Sequence, residues 1–187
     1  MPRVTLIGYR GTGKSTVAAA LAQRLGCPWW DADVELERAV GTSIASFVRE
    51  RGEAKFRDQE SVVLEELLAK PDGVLATGGG VILRPGNRER LREQGGCVVW
   101  LTAPGPILRR RLAADPTTAS RRPGLTGADP LAEIDATLSN REPLYRECAR
   151  VVIDTSQASP EEVIEAILRG LERPDGRARA RSSEVPD

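Results

Sequence analysis

Val4-Thr5-Leu6-Ile7-Gly8-Tyr9-Arg10-Gly11-Thr12-Gly13-Lys14-Ser15-Thr16 is the stretch that decides the fold. Val4 to Ile7 reads as a short strand buried on both faces. Gly8 to Ser15 matches the pattern G-x-x-x-x-G-K-[ST]. From Ser15 to Leu25 the spacing predicts a helix, with Val17, Leu21 and Leu25 on one face and Gly26 as its stop. The order strand, glycine-rich loop, helix makes a phosphate cradle. The glycines let successive N–H groups turn toward phosphate oxygens. The helix start adds the positive end of its dipole. Gly11, Thr12, Gly13, Lys14, Ser15 and Thr16 are therefore the candidate nucleotide-binding residues. Lys14 can reach the β- and γ-phosphates, and the Ser15 hydroxyl can ligate Mg²⁺.

Outward from this loop, short apolar runs alternate with helical patterns. Further strands are expected at Cys27–Trp30, Val74–Ala76, Cys97–Leu101 and Val151–Ile153. Helices are expected at Val34–Val40, Ile44–Arg51, Glu53–Ala69, Asn87–Gln94, Pro106–Ala114, Pro130–Arg146 and Pro160–Leu171. Ser43 would cap the helix that Gly52 stops. Asp115 to Asp129 has no apolar period and reads as a long functional or disordered loop. From Arg173 the chain turns to Arg, Gly, Pro and Ser, and residues 174–187 are expected to be a disordered tail. Five strands alternating with helices predict an α/β fold, a parallel sheet covered on both faces.

Composition narrows the function. At 187 residues the chain fits one domain. Its 27 Lys plus Arg balance 27 Asp plus Glu, which argues against a polybasic nucleic-acid binder. No apolar run is long enough to cross a membrane, and no signal-peptide core follows Met1. A cytoplasmic protein without nucleic-acid or membrane partners is expected. Cys27, Cys97 and Cys148 are odd in number and widely spaced, so reduced thiols are expected. The chain has no histidine, which removes imidazole bases and His-ligated zinc.

Several further segments carry candidate chemistry. Asp31-Ala32-Asp33 leaves the second strand, where alternate residues project to one side of the sheet edge. One carboxylate could hold Mg²⁺ through water and the other could take a proton from an attacking hydroxyl. The plainer reading is a helix N-cap followed by a first-turn acid. Arg57 and Glu60 can meet on one helix face, though a solvated surface pair is the commoner case. Gly78-Gly79-Gly80 follows the third strand and either lets a small ligand approach the backbone or is merely a flexible turn. Arg109-Arg110-Arg111 and Arg121-Arg122 bracket the long loop, where arginines can close on developing charge or simply face solvent. Arg141 near the end of its helix could fork onto a carboxylate or complement the helix dipole.

Taken in order, these segments resemble the shikimate kinase family. The likeness rests on Gly8–Ser15, Asp31-x-Asp33, Phe56-Arg57-x-x-Glu60, Gly78-Gly79-Gly80, Arg122-Pro123 and Arg141-x-Pro143-Leu144-Tyr145, and spans roughly Met1 to Leu171. It implies a three-layer P-loop kinase fold with strand order 2-3-1-4-5. The kinase-like domain would cover 1–173, with a mobile lid at about 112–129 and a substrate-binding region at about 33–61. It implies transfer of the γ-phosphate of MgATP to the 3-hydroxyl of shikimate in chorismate and aromatic amino-acid synthesis. It implies ATP and Mg²⁺ as cofactors, shikimate as the small-molecule partner, and a monomer. Lys14, Asp33 and Arg122 would be catalytic. Ser15 and, through water, Asp31 would hold the metal. Arg111 would stack on adenine, with its register among Arg109, Arg110 and Arg111 uncertain, and Arg122 would reach the phosphates from the lid. Asp33, Arg57, Gly79, Gly80 and Arg141 would bind shikimate, with Glu60 orienting Arg57. The chain departs from the family where Gly124-Leu125 replaces a pair of leucines after Arg122-Pro123. A gluconate kinase-like enzyme is the alternative within kinases. A nucleotide-binding module without transfer activity is the alternative from another class, opposed by Asp31 and Asp33 standing beside Lys14.

Overall fold

The computed structural model describes residues 1–114 and 134–172. Five parallel strands form one sheet in the order β2-β3-β1-β4-β5. They are β1 Val4–Ile7, β2 Trp29–Asp31, β3 Val74–Ala76, β4 Cys97–Thr102 and β5 Val151–Asp154. β1 lies at the centre, with Val4 opposite Val74 on one side and Cys97 on the other. The expected order is therefore present. The expected long loop, most of the expected lid with Arg122, and the expected tail lie outside the described residues. Leu112 to Ala114 close a helix.

The strand side chains divide between two cores with the period of two that a pleat imposes. Ile7, Leu75, Val98 and Trp100 face one core, together with Leu36, Phe56, Leu64 and Tyr145. Val4, Leu6, Val99 and Leu101 face the other, together with Val17, Leu21, Val163 and Ile167. The helices are α1 Lys14–Leu25, α2 Ala32–Val40, α3 Ile44–Ala69, α4 Pro85–Gln94, α5 Gly105–Ala114, α6 Ile134–Cys148 and α7 Pro160–Glu172. Burying a leucine or phenylalanine side chain in such layers stabilises by about 1.5–3 kcal/mol relative to leaving it exposed.

Two local differences from the sequence reading have physical causes. α2 begins at Ala32 rather than Val34, because Asp31 caps it by accepting from the Asp33 and Val34 amides. Asp33 therefore sits in the first helical turn, and strand alternation does not explain its position next to Asp31. As expected, Gly52 separates two helical stretches within α3: its φ 82° and ψ 162° are not helical, and the path kinks there. Val81–Leu83, unassigned in the sequence reading, forms one turn of 3₁₀ helix after the glycine run. It is too short to show a period. All three cysteines are free thiols. Burial pushes the Cys148 thiol up to about 11. No helix among the described residues is long and apolar enough to cross a membrane.

Candidate active site

The loop between β1 and α1 is shaped by its glycines. Gly8, Gly11 and Gly13 have φ of 143°, 81° and 86°, values that side-chain-bearing residues rarely adopt. A Cβ on Gly8 would stand 2.2 Å from the Leu101 carbonyl oxygen, so the loop packs against the end of β4. The buried Lys14 ammonium donates to the carbonyl oxygens of Gly8 at 2.8 Å and Tyr9 at 2.9 Å. The lysine is thereby folded over its own loop at the start of α1. The Thr12 hydroxyl donates to Tyr9 O at 2.7 Å and pins the same turn.

Ser15 in the first turn of α1 meets Asp31 at the end of β2. The Ser15 hydroxyl donates to Asp31 Oδ2 at 2.5 Å, while Asp31 Oδ1 caps α2. The N-cap reading of Asp31 therefore holds, and its second oxygen is engaged by Ser15. The pair presents hard oxygen donors at the mouth of the phosphate loop, a donor set suited to Mg²⁺. Among the described residues no group of three or more His, Cys, Asp or Glu could hold a metal alone.

Arg111 is the member of the Arg109–Arg111 run that reaches the loop. Its guanidinium donates to Gly11 O at 3.3 Å, Thr155 Oγ1 at 3.0 Å and Thr155 O at 2.5 Å. Arg109 instead pairs with Asp135 at 2.7 Å, and Arg110 is exposed. The register left open by the sequence is set by which face α5 turns to the loop. Thr155 was not singled out from the sequence. Its buried hydroxyl also donates to Thr102 O at 3.1 Å, and no local pattern around it announces this.

The other half of the site is made of side chains from α3 and α6 around the turn after β3. Arg57 and Glu60 form a buried pair at 2.8 Å, with side chains 8% and 6% exposed. The solvated alternative is therefore excluded. Half-exposed Glu53 adds a second carboxylate at 3.2 Å. Burial works against the Arg57 charge, and the Glu60 and Glu53 carboxylates outweigh it, holding the guanidinium above its usual pKa. Arg57 also lies 4.8 Å from the Phe56 ring centroid. A Cβ on Gly80 would stand 2.3 Å from Arg57 Nη1, so glycine is needed there for the guanidinium to fit. A Cβ on Gly79 would stand 3.4 Å from Gly8 O and from the Arg10 amide, which puts this turn against the phosphate loop.

Arg141 approaches from α6. It donates to Gly79 O at 3.3 Å and its guanidinium carbon lies 5.8 Å from the Tyr9 ring centroid. Neither sequence reading of Arg141 describes this, because its partner is a backbone carbonyl 62 residues away. The structure thus brings together Lys14, Ser15 and Asp31 at one end. It brings Arg57, Gly79, Gly80 and Arg141 together at the other. Asp33 stands in the first turn of α2, two residues from the Asp31 that meets Ser15.

Comparison with known proteins agrees with this geometry. A family model described as shikimate kinase matches residues 10–172. A shikimate kinase of Rhodopirellula baltica is 44% identical over 173 residues, covering 92% of each chain. The solved shikimate kinase from Acinetobacter baumannii in complex with shikimate superposes with a TM-score of 0.83 at 38% identity, covering 90% of this chain and 92% of that one. The enzyme from Aquifex aeolicus gives 0.77 at 32% identity, covering 96% and 99%. A gluconokinase from Sinorhizobium meliloti, covering 91% of each chain, gives 0.59 at 20% identity, a likeness of fold alone. A phosphate loop, an acid pair and a buried arginine seat in one sheet edge, matched along most of the chain, place this protein in the shikimate kinase family.

Proposed function

We propose that this chain transfers the γ-phosphoryl group of ATP to the 3-hydroxyl of shikimate, giving shikimate 3-phosphate and ADP for chorismate and aromatic amino-acid synthesis. The observation that carries this reading is the juxtaposition of a phosphate loop with two arginines. Arg57 and Arg141 flank the Gly79–Gly80 turn, which itself abuts Gly8 and Arg10. A small anionic polyol needs cations for its carboxylate and an acid for its hydroxyls, placed within reach of a phosphate cradle. Gluconate also carries a carboxylate and hydroxyls, so acceptor choice is decided by experiment and by the 44% identical relative rather than by charge alone.

In this reading Arg57 and Arg141 clamp the carboxylate, and Gly79 and Gly80 lie against the ring with backbone N–H groups available. Glu60 keeps Arg57 charged and oriented. Asp33 binds the hydroxyls and accepts the proton of the attacking 3-hydroxyl. A bond forms between that oxygen and the γ-phosphorus, and the bond from the γ-phosphorus to the oxygen kept by ADP breaks. Gly11 to Thr16 supply the amides and hydroxyls that hold the phosphates. Lys14 exchanges its Gly8 and Tyr9 carbonyls for the β- and γ-phosphates. Ser15 and, through water, Asp31 would hold Mg²⁺, which would offset phosphate charge. Arg111 packs on the adenine, and Arg122, outside the described residues, closes over the phosphates. The chemistry is chiefly positioning and charge stabilisation, so it runs without histidine. We read the protein as a monomer acting in the cytoplasm.

The test is ADP release from MgATP with shikimate, quinate, gluconate or no acceptor. Release that depends on shikimate is the expected result. Release with gluconate alone would overturn shikimate as the acceptor, and nucleotide binding without release would move the chain to the binding-module class.

A further inference from the structure

We propose that Tyr145 is a positioning residue for the acceptor site, fixing the Gly79–Gly80 peptide through its hydroxyl and tying that peptide to Arg141. The proposal rests on the reading of Gly80 and Arg141 as shikimate contacts.

The Tyr145 hydroxyl donates to Gly79 O at 2.5 Å, and the residue is 1% exposed. Arg141 lies one helical turn earlier on α6 and donates to the same oxygen. Two donors from one helix thus converge on one carbonyl in a run of three glycines. Such a run does not define its own conformation, because glycine tolerates regions of φ and ψ closed to other residues. The orientation has to be imposed from outside. A trans peptide is planar, with its C=O and N–H pointing in opposite directions. Holding Gly79 O toward α6 therefore turns the Gly80 N–H away from α6.

The tyrosine is itself fixed. Its ring stacks on Trp100 of β4 with centroids 5.6 Å apart and planes 15° from parallel. Burial raises the phenol far above its usual pKa, so the hydroxyl stays a donor throughout the working pH range. A chain of contacts consequently runs from the sheet through Trp100 and Tyr145 to the glycine turn. Tyr145 acts on the acceptor through the Gly79 peptide, which separates it from the catalytic residues.

Tyr145→Phe keeps the ring and removes only the hydroxyl. It is expected to raise the KM for shikimate about five- to tenfold, the scale of one net hydrogen bond, while the KM for MgATP stays unchanged. A buried tyrosine with a merely structural role would lower Tm and leave the shikimate KM alone. That result would overturn the proposal. If the variant is too unstable to assay, Trp100→Phe decides. It shifts the stack without removing the hydroxyl, and should raise the shikimate KM in the same direction; no change would count against the proposal. Arg141→Ala separates the two layers of the argument. An unchanged shikimate KM in Arg141→Ala would mean that the carboxylate reading has failed, and with it the premise. A raised KM there, with Tyr145→Phe unchanged, would defeat the Tyr145 role alone.

Discussion

The two ends of the site are built by different means. The phosphate end is eight consecutive residues, Gly8 to Ser15, shaped by the positive φ of Gly8, Gly11 and Gly13. The proposed acceptor end is assembled from α3, the turn after β3 and α6, where Arg57 is held by Glu60 and the Gly79 carbonyl accepts from Arg141 and Tyr145. A backbone cradle is specified by local glycine conformation. A side-chain seat is specified by packing, so it varies in chemistry while the cradle stays the same.

The comparison yields four tests, from the largest effect to the smallest. Asp33→Asn should lower kcat by about 10²–10⁴-fold while MgATP still binds. Turnover within a few-fold of the parent would remove Asp33 as the proton acceptor. Arg57→Ala should weaken shikimate binding by about 2–5 kcal/mol, since Glu60 is left as a buried charge without its guanidinium. Part of that loss will appear in Tm, so binding should be titrated below the melting range. An unaltered shikimate affinity would break the contrast between the ends. Gly80→Ala places a methyl group where the Arg57 guanidinium sits, and a shift of that side chain should raise the shikimate KM about tenfold with the MgATP KM unchanged. Equal changes in both constants would show that the two ends are not separable.

Thr155→Val probes the phosphate end in the opposite sense. It removes the hydroxyl that accepts from Arg111, while the Thr155 carbonyl still accepts from the same guanidinium. The KM for MgATP should rise about two- to fivefold, as for one weakened hydrogen bond, and the shikimate KM should not move. A change confined to shikimate would reverse the assignment of Arg111 to the nucleotide end.

The acceptor end was legible only in outline. Arg57, Glu60, Gly79, Gly80 and Arg141 could be picked out as residue types in order, yet the alternatives for Arg57 differed only in burial. An arginine at i, i+3 from a glutamate reads identically on a wet face and in a core. Phe56, packed at 2% exposure beside it, belongs to the core that decides the matter. The register of Arg109, Arg110 and Arg111 was hidden for the same reason. Three identical residues carry no signal of which one a helix will turn toward Gly11. Thr155 and Tyr145 were missed as working residues because each acts through a carbonyl distant in sequence.

The sequence by itself determined the layered sheet and the phosphate cradle. Both depend on information within a few residues: strands buried on both faces, helical spacing, and glycines able to take positive φ. The tertiary structure decided what the charged side chains do. A guanidinium or carboxylate acquires its role from desolvation and from its partners, and here those partners lie up to 100 residues away, as between Arg111 and Gly11. Only the packing of the helices on the sheet brings them within reach.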